Sequence, residues 1–327
     1  MGQDDLCGFH PGNGTGVNVA LSDSPVSRLN GTDATSGNSR WGVILLCHGS
    51  QRGTSKQECS CAWVAKNGSS PAWCRNCPST PHGLLDASQR LQRALGEAEA
   101  QVLLSCLEFI QPNPDQAVQI LAAQGLQQLV IMPYLLGHGK HATEEMEEVL
   151  KDLRASLPQV RLELTQGLGA DPRMADLVVE RVRDLDGVAP APADRTGDVG
   201  VMLVKAGTKT QYDDCFWMQD LGQMVEQRLG MGYAVEVAQS HYGDPTMAAA
   251  AAKLVEERGV SSLIFVPYLF FPGLILQRNV LGGMRELLEQ YPNIAMQVTP
   301  PLGVDDRVVA VAADRVRQVW RRTSGVT

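Results

Sequence analysis

Seven side chains in this 327-residue sequence have the types and spacing that metal and proton chemistry need. His48 stands in His48-Gly49-Ser50, directly after the apolar run Val43–Cys47, and His141 closes Gly137-His138-Gly139-Lys140-His141 after a second such run. Neutral imidazoles suit Co²⁺, Fe²⁺, Ni²⁺ and Zn²⁺, and two of them leave a metal exchangeable. Glu108, in Cys106-Leu107-Glu108-Phe109, follows a third apolar run. A carboxylate there can complete a metal shell or take protons from a ligand nitrogen, or simply cap a helix or pair with a cation. The other four are Cys59, Cys61, Cys74 and Cys77, spaced Cys-x-Cys and Cys-x₂-Cys. Two such pairs across a short loop suit thiolate ligation of Zn²⁺ or an iron–sulfur cluster. Their segment holds few apolar residues beyond Trp63, Val64 and Trp73, so bound metal would have to order it.

An internal repeat shows which elements position these groups. Gly125 to Leu135 and Gly259 to Leu269 share the pattern Gly-x₃-Leu-x₃-Pro-Tyr-Leu, 134 positions apart. The same offset pairs Leu168-Gly169 with Leu302-Gly303, Asp171 with Asp305, Arg173 with Arg307, and Arg181 with Arg315. Upstream, the run from Gly42 matches that from Gly200 at an offset of 158, which implies 24 inserted residues in the first copy, at the cysteines. The chain therefore reads as a tandem duplication. The second copy has Ala206 opposite His48 and Ile275 opposite His141, so both imidazoles are lost together, as members of one site would be.

Within the first copy the pattern predicts strands over Val43–Cys47, Gln101–Cys106, Leu129–Met132 and Arg161–Leu164. Helical spacing alternates with them over Leu84–Leu95, Asp115–Gln124 and Thr143–Leu153. Such alternation predicts an α/β fold, a doubly wound parallel sheet in each copy, with ligands beyond the carboxyl ends of the strands. Residues 1–40, rich in Gly, Asn, Ser and Thr, read as a disordered leader, and 188–198 as a linker. The first half spans 41–187 with its Cys-rich insertion at about 51–82, and the second spans 199–322.

Lys and Arg number 28 against 36 Asp and Glu, a net charge of −8, which argues against nucleic acid as a partner. No run approaches the ~18 apolar residues of a membrane span. The absence of an export signal, with clustered rather than paired-looking cysteines, points to the cytoplasm.

Three motifs taken together resemble the CbiX/SirB family of sirohydrochlorin chelatases. They are His48-Gly49-Ser50 after an apolar strand, Leu107-Glu108, and Pro133-Tyr134-Leu-Leu-x-x-Gly139-Lys140-His141. The second copy's Val266-Pro267-Tyr268 through Arg278 is similar to the C-terminal half of the long, two-domain members. The resemblance implies a chelatase-like, flavodoxin-like fold with two halves facing across a cleft, the second half degenerate. It implies insertion of a divalent metal, cobalt ahead of iron, into sirohydrochlorin in cobalamin or siroheme biosynthesis. It maps the metal-binding histidines onto His48 and His141 and the acidic residue onto Glu108. Sirohydrochlorin is a polycarboxylate, so an acidic chain needs local cations to hold it; Arg52, Lys140 and Arg278 are the candidates, with Ser50 as a further substrate-binding residue. A monomer of two pseudo-symmetric halves is expected. The alternative is a tetrapyrrole- or metal-binding carrier or sensor on the same scaffold.

Overall fold

The computed structural model describes residues 40–49, 80–108, 111–137, 144–186, 198–207 and 216–324. Each half is a four-stranded parallel sheet. In the first, β1 (Trp41–Cys47), β2 (Ala100–Cys106), β3 (Gln128–Pro133) and β4 (Arg161–Leu164) lie in the order β2-β1-β3-β4. In the second, β5 (Val199–Lys205), β6 (Tyr233–Gln239), β7 (Ser262–Tyr268) and β8 (Ala295–Val298) repeat it as β6-β5-β7-β8. All pairings are parallel. β1 and β5 are central and buried on both faces, which is why Trp-Gly-Val-Ile-Leu-Leu-Cys and Val-Gly-Val-Met-Leu-Val-Lys read as nearly continuous apolar runs.

The helices of the first half are α1 (Thr80–Leu95), α2 (Pro114–Ala123), α3 (Glu144–Ser156) and α4 (Pro172–Asp186). Those of the second are α5 (Phe216–Leu229), α6 (Met247–Ala252, continued by a π-helical turn Lys253–Glu257), α7 (Leu281–Gln290, preceded by a π-helical turn Ile275–Val280) and α8 (Asp306–Ser324). The start of α2 is set by Asn113, whose side chain accepts from the Gln116 N–H while the Gln116 side chain accepts from the Asn113 N–H, with Pro114 at the first helical position.

The register reveals two one-residue changes in addition to the 24-residue insertion. Cys47 pairs with Cys106 in the first half and Lys205 with Gln239 in the second. The first interval is longer by 25 residues, one more than the repeat offsets imply. Gly96 and Gly230 follow α1 and α5 at an offset of 134 and Ala100 and Tyr233 open β2 and β6 at 133, so the extra residue of the first copy lies in the turn between Gly96 and Ala100. The offset returns to 134 within α6: its N-cap Thr246 corresponds to Asn113 at 133, whereas Gly259 corresponds to Gly125 at 134. One residue has been added inside this helix, and the helix takes it up as the π-helical turn Lys253–Glu257.

The halves exchange their last helices. α8, from the second half, packs on β3 and α1 of the first; α4, from the first, packs on β7 and α5 of the second. One core therefore runs through both, joining Val43, Leu45, Leu91 and Met132 to Val201, Leu221, Val225 and Val266 through Leu177 and Val178 of α4 and Val308 and Val311 of α8. Trp320 in the last turns of α8 meets Trp41 at the start of β1, ring centroids 5.8 Å apart. Each half keeps a separate core on its outer face, around Ile44, Leu121 and Ile131 in one and Met202, Leu254 and Phe265 in the other.

Charged pairs are duplicated across the exchanged helices. Arg173 binds Asp171 at 2.9 Å and reaches Asp314 at 2.7 Å; Arg307 binds Asp305 at 2.8 Å and reaches Glu180 at 3.0 Å. Burial by itself would push the Asp171 and Asp305 carboxyls up, but the hydrogen bonds from Arg173 and Arg307 outweigh it and hold both below the usual carboxylate value. A depressed folded value adds stability above the unfolded carboxylate pKa of about 3.9, and that stability is lost as pH falls through the folded value. Asp171→Asn combined with Asp305→Asn should lower the urea midpoint at pH 7 and flatten its decline towards pH 3. Parallel native and variant curves over that range would refute this assignment.

Candidate active site

His48 and Glu108 are brought side by side by continuation of the β1–β2 ladder beyond both strands. The Leu107 N–H donates to Cys47 O at 2.9 Å and the Glu108 N–H to His48 O at 3.0 Å. His48 is half-buried and Glu108 exposed, so the pair opens from a rigid floor toward solvent. Gly49 follows with φ of 96°, and a Cβ there would fall 2.0 Å from the Glu108 carbonyl oxygen. The glycine is thus required by the neighbouring strand's backbone, whatever approaches from outside. Gly49→Ala should cost at least about 2 kcal/mol, from left-handed strain plus the displaced Glu108 carbonyl. Gly96, also at positive φ, has nothing within 4 Å of its missing Cβ, so Gly96→Ala should cost about 1 kcal/mol. Urea unfolding of both variants checks the difference; equal losses would remove the steric argument.

Beneath this pair, Cys47 and Cys106 are register partners, buried and free. Burial, then the adjacent Cys106 thiol, pushes the Cys47 thiol well up, and burial lifts Cys106 to about 11. Both stay protonated at neutral pH, a neutral floor and not a thiolate perch.

The same geometry recurs in the second half. The Ser240 N–H donates to Lys205 O at 2.9 Å, and a Cβ on Gly207 would overlap the His241 carbonyl oxygen. Ala206 thus stands where His48 does, and His241 where Glu108 does. Ile275, the counterpart of His141, is the first residue of the π-helical turn that carries Arg278, which is exposed.

The carboxyl ends of the two sheets adjoin through aromatic rings. Tyr134, just past β3, stacks on Phe270, just past β7, with centroids 4.6 Å apart and planes 7° apart. Two further contacts are mirror-related: Phe271 lies against Gly83 and Trp217 against Gly137, so each ring fills the space its opposite number leaves as glycine. At the 134 offset Gly83 corresponds to Trp217 and Gly137 to Phe271, so the second half supplies both rings and the first half both glycines. These aromatic residues were not singled out from the sequence, although the repeated Pro-Tyr-Leu block carried the signal.

The structure brings the backbones of His48 and Glu108 together at the ends of neighbouring strands. Ser50, Arg52, Lys140, His141 and the four cysteines Cys59, Cys61, Cys74 and Cys77 lie outside the described residues, as do most of the leader and of the linker. Among the described residues no group of three or more metal-ligating side chains forms, and no helix is long and apolar enough to cross a membrane.

The CbiX family model matches residues 79–185 and 200–319, one segment in each half. The sirohydrochlorin ferrochelatase of Priestia megaterium is 27% identical over 219 residues, covering 64% of this chain and 75% of the relative. The sirohydrochlorin cobaltochelatase of Sulfurisphaera tokodaii is 29% identical over 126 residues, 38% of this chain and 97% of that shorter protein. Among solved structures, SirB from Bacillus subtilis with Fe³⁺ superposes with a TM-score of 0.63 at 18% identity, covering 88% of this chain and 98% of SirB. The two sheets, their shared strand order and the two matched segments agree with these likenesses: the chain belongs to the CbiX family, the sirohydrochlorin chelatases.

Proposed function

We propose that the protein inserts a divalent metal into sirohydrochlorin, with cobalt ahead of iron, and so serves cobalamin or siroheme biosynthesis. The observation that carries this reading is the His48–Glu108 pair, fixed by backbone bonds at the carboxyl edge of a doubly wound sheet. Two pyrrole N–H protons must leave as metal enters. His48 and His141 would hold the incoming metal, and Glu108 would accept protons beside it. Ser50, Arg52, Lys140 and Arg278 would meet substrate carboxylates, and the half-buried rings of Phe270 and Phe271, backed by Tyr134, would give a flat macrocycle an apolar wall. Relatives of both the ferrochelatase and the cobaltochelatase kind support the substrate class and leave the metal as our choice. Imidazole ligands accept either ion.

The working half in this reading is 41–187 and the degenerate half 199–322, joined by 188–198, in a cytoplasmic monomer. The four cysteines of the insertion would hold structural Zn²⁺ or an iron–sulfur cluster; metal analysis of protein purified anaerobically and without chelator tests them separately. The deciding experiment follows the visible spectrum of sirohydrochlorin with purified protein and Co²⁺, Fe²⁺, Ni²⁺ or Zn²⁺ in turn. Catalytic turnover with Co²⁺ fastest is the expected result. Stoichiometric binding without turnover would favour the carrier or sensor instead.

A further inference from the structure

Positive charge gathers at one place on this acidic chain. A cavity of about 560 Å³ lies between the C-terminal half of α8 and the end of β4. Arg315, Gln318, Arg321 and Arg322 line it from the helix, and Leu164 and Gln166 from the strand end. No aspartate or glutamate is among its described lining residues. The cleft between α4 and α5 differs: Asp176, Glu180 and Asp184 stand there against Arg183 and Arg228, and Asp176 pairs with Arg228 at 2.7 Å. In a protein of net charge −8, three arginines around a carboxylate-free cavity concentrate a positive potential.

These guanidinium groups are available. Arg321 and Arg322 are exposed and have no hydrogen-bond or ion-pair partner among the described residues. Arg315 lies 3.8 Å from Asp171 Oδ2, an oxygen that already accepts from Arg173 at 3.0 Å. The Arg315 Nε is buried without a partner, as is that of Arg181 at the matching place in the other half. Arg181 is compensated: its Nη2 donates to Leu302 O at 3.3 Å and its Nη1 lies 3.6 Å from Glu180. Among the described residues Arg315 makes neither of the matching contacts.

The duplication separates what the fold needs from what it does not. At the 134 offset Arg315 matches Arg181, Thr165 matches Thr299, and Leu164 and Val319 match Val298 and Leu185. Gln166, Gln318, Arg321 and Arg322 instead fall opposite Pro300, Asp184, Gly187 and Val188. The same strand and helix are therefore built once without those four side chains. Basic residues near a helix end also complement its carbonyls, but a single arginine, Arg183, serves the last turn of α4, where α8 has two.

We propose that this cavity binds a compact oxyanion of two or more negative charges, a phosphate or a polycarboxylate. Guanidinium forks match the geometry of both groups, and the exposed Gln166 and Gln318 amides add neutral donors. β4 is the sheet edge opposite β2, so the cavity is apart from the ends of β1 and β2 that carry His48 and Glu108. The proposal stands whether or not the chelatase reading holds.

The test is calorimetric titration of inorganic pyrophosphate, and separately of citrate, into the full chain. Ionic strength is held fixed, because salt screens exposed charges. Saturable binding of at least one anion is expected, and the tighter of the two identifies the class. Arg321→Gln combined with Arg322→Gln should raise that Kd at least about tenfold, as the loss of two charge-assisted bonds implies. Both side chains are exposed, so the variant should fold as the native protein does, which its thermal midpoint without anion checks. Arg278→Gln, in the other half, should leave the Kd unchanged. No saturable binding of either anion would overturn the proposal, and so would a Kd that rises in Arg278→Gln alone. A lower unliganded midpoint in the double variant with its Kd unchanged would also overturn it, assigning the arginines to the helix end.

Discussion

Replacing His48 by alanine is expected to slow metal insertion at least about 100-fold, with no change in the folded state, and His141→Ala should do the same. His48 sits on a loop whose course is set by backbone bonds, so removing its ring leaves the Glu108 N–H to His48 O bond in place. The loss should therefore be chemical and not structural, visible as native unfolding curves with collapsed turnover. Glu108→Gln then separates the two roles open to that carboxylate. A proton acceptor lost would lower kcat and flatten its acid limb; a metal ligand lost would raise the concentration of metal required. Near-native turnover in either histidine variant would break the shared-site assignment.

Cutting the chain between the halves should leave neither piece folded. Residues 40–197 alone would keep α4 with nothing to cover it and would lose α8 from its own sheet; 198–327 would suffer the reverse. On α4 the buried Met174, Ala175, Leu177, Val178 and Val182 belong to the core that runs through both halves. Exposing that many apolar side chains costs on the order of 10 kcal/mol, as much as a whole domain's stability. Each half expressed alone should lack a cooperative thermal transition, and mixing the two should restore one. A single half that unfolds cooperatively as a soluble monomer would show that the exchanged helices matter less than their burial indicates.

The strands were legible for two reasons: Val43–Cys47 is central, buried on both faces and apolar throughout, whereas Arg161–Leu164, at the sheet edge, alternates Arg and Glu with Leu. The helices before α4 were legible from their spacing, and the positions of His48 and Glu108 from the rule that ligands gather beyond strand ends. The repeat also marked Asp171, Arg173, Arg181 and their partners as kept in both copies. What those residues do was not legible, because repetition records that a residue is retained and says nothing of which copy it touches.

Tertiary structure alone decided that α4 and α8 change places. An amphipathic helix presents the same apolar stripe to its own sheet or to its neighbour's, so no pattern in the sequence distinguishes them. The one-residue discrepancy between repeat offsets needed coordinates too, since an α-helix absorbs an extra residue as a π turn without any break in its apolar spacing. The second half shows the same limit. Ala206 and Ile275 read as the loss of a site, and in the sequence Lys205 is merely the last letter of a strand. Its burial, its bond to Gln239 and its neighbour His241 exist because parallel pairing sets two strand ends 34 residues apart side by side. Residue types determined what chemistry was available; which of them share a pocket was settled by the pairing of strands distant in the chain.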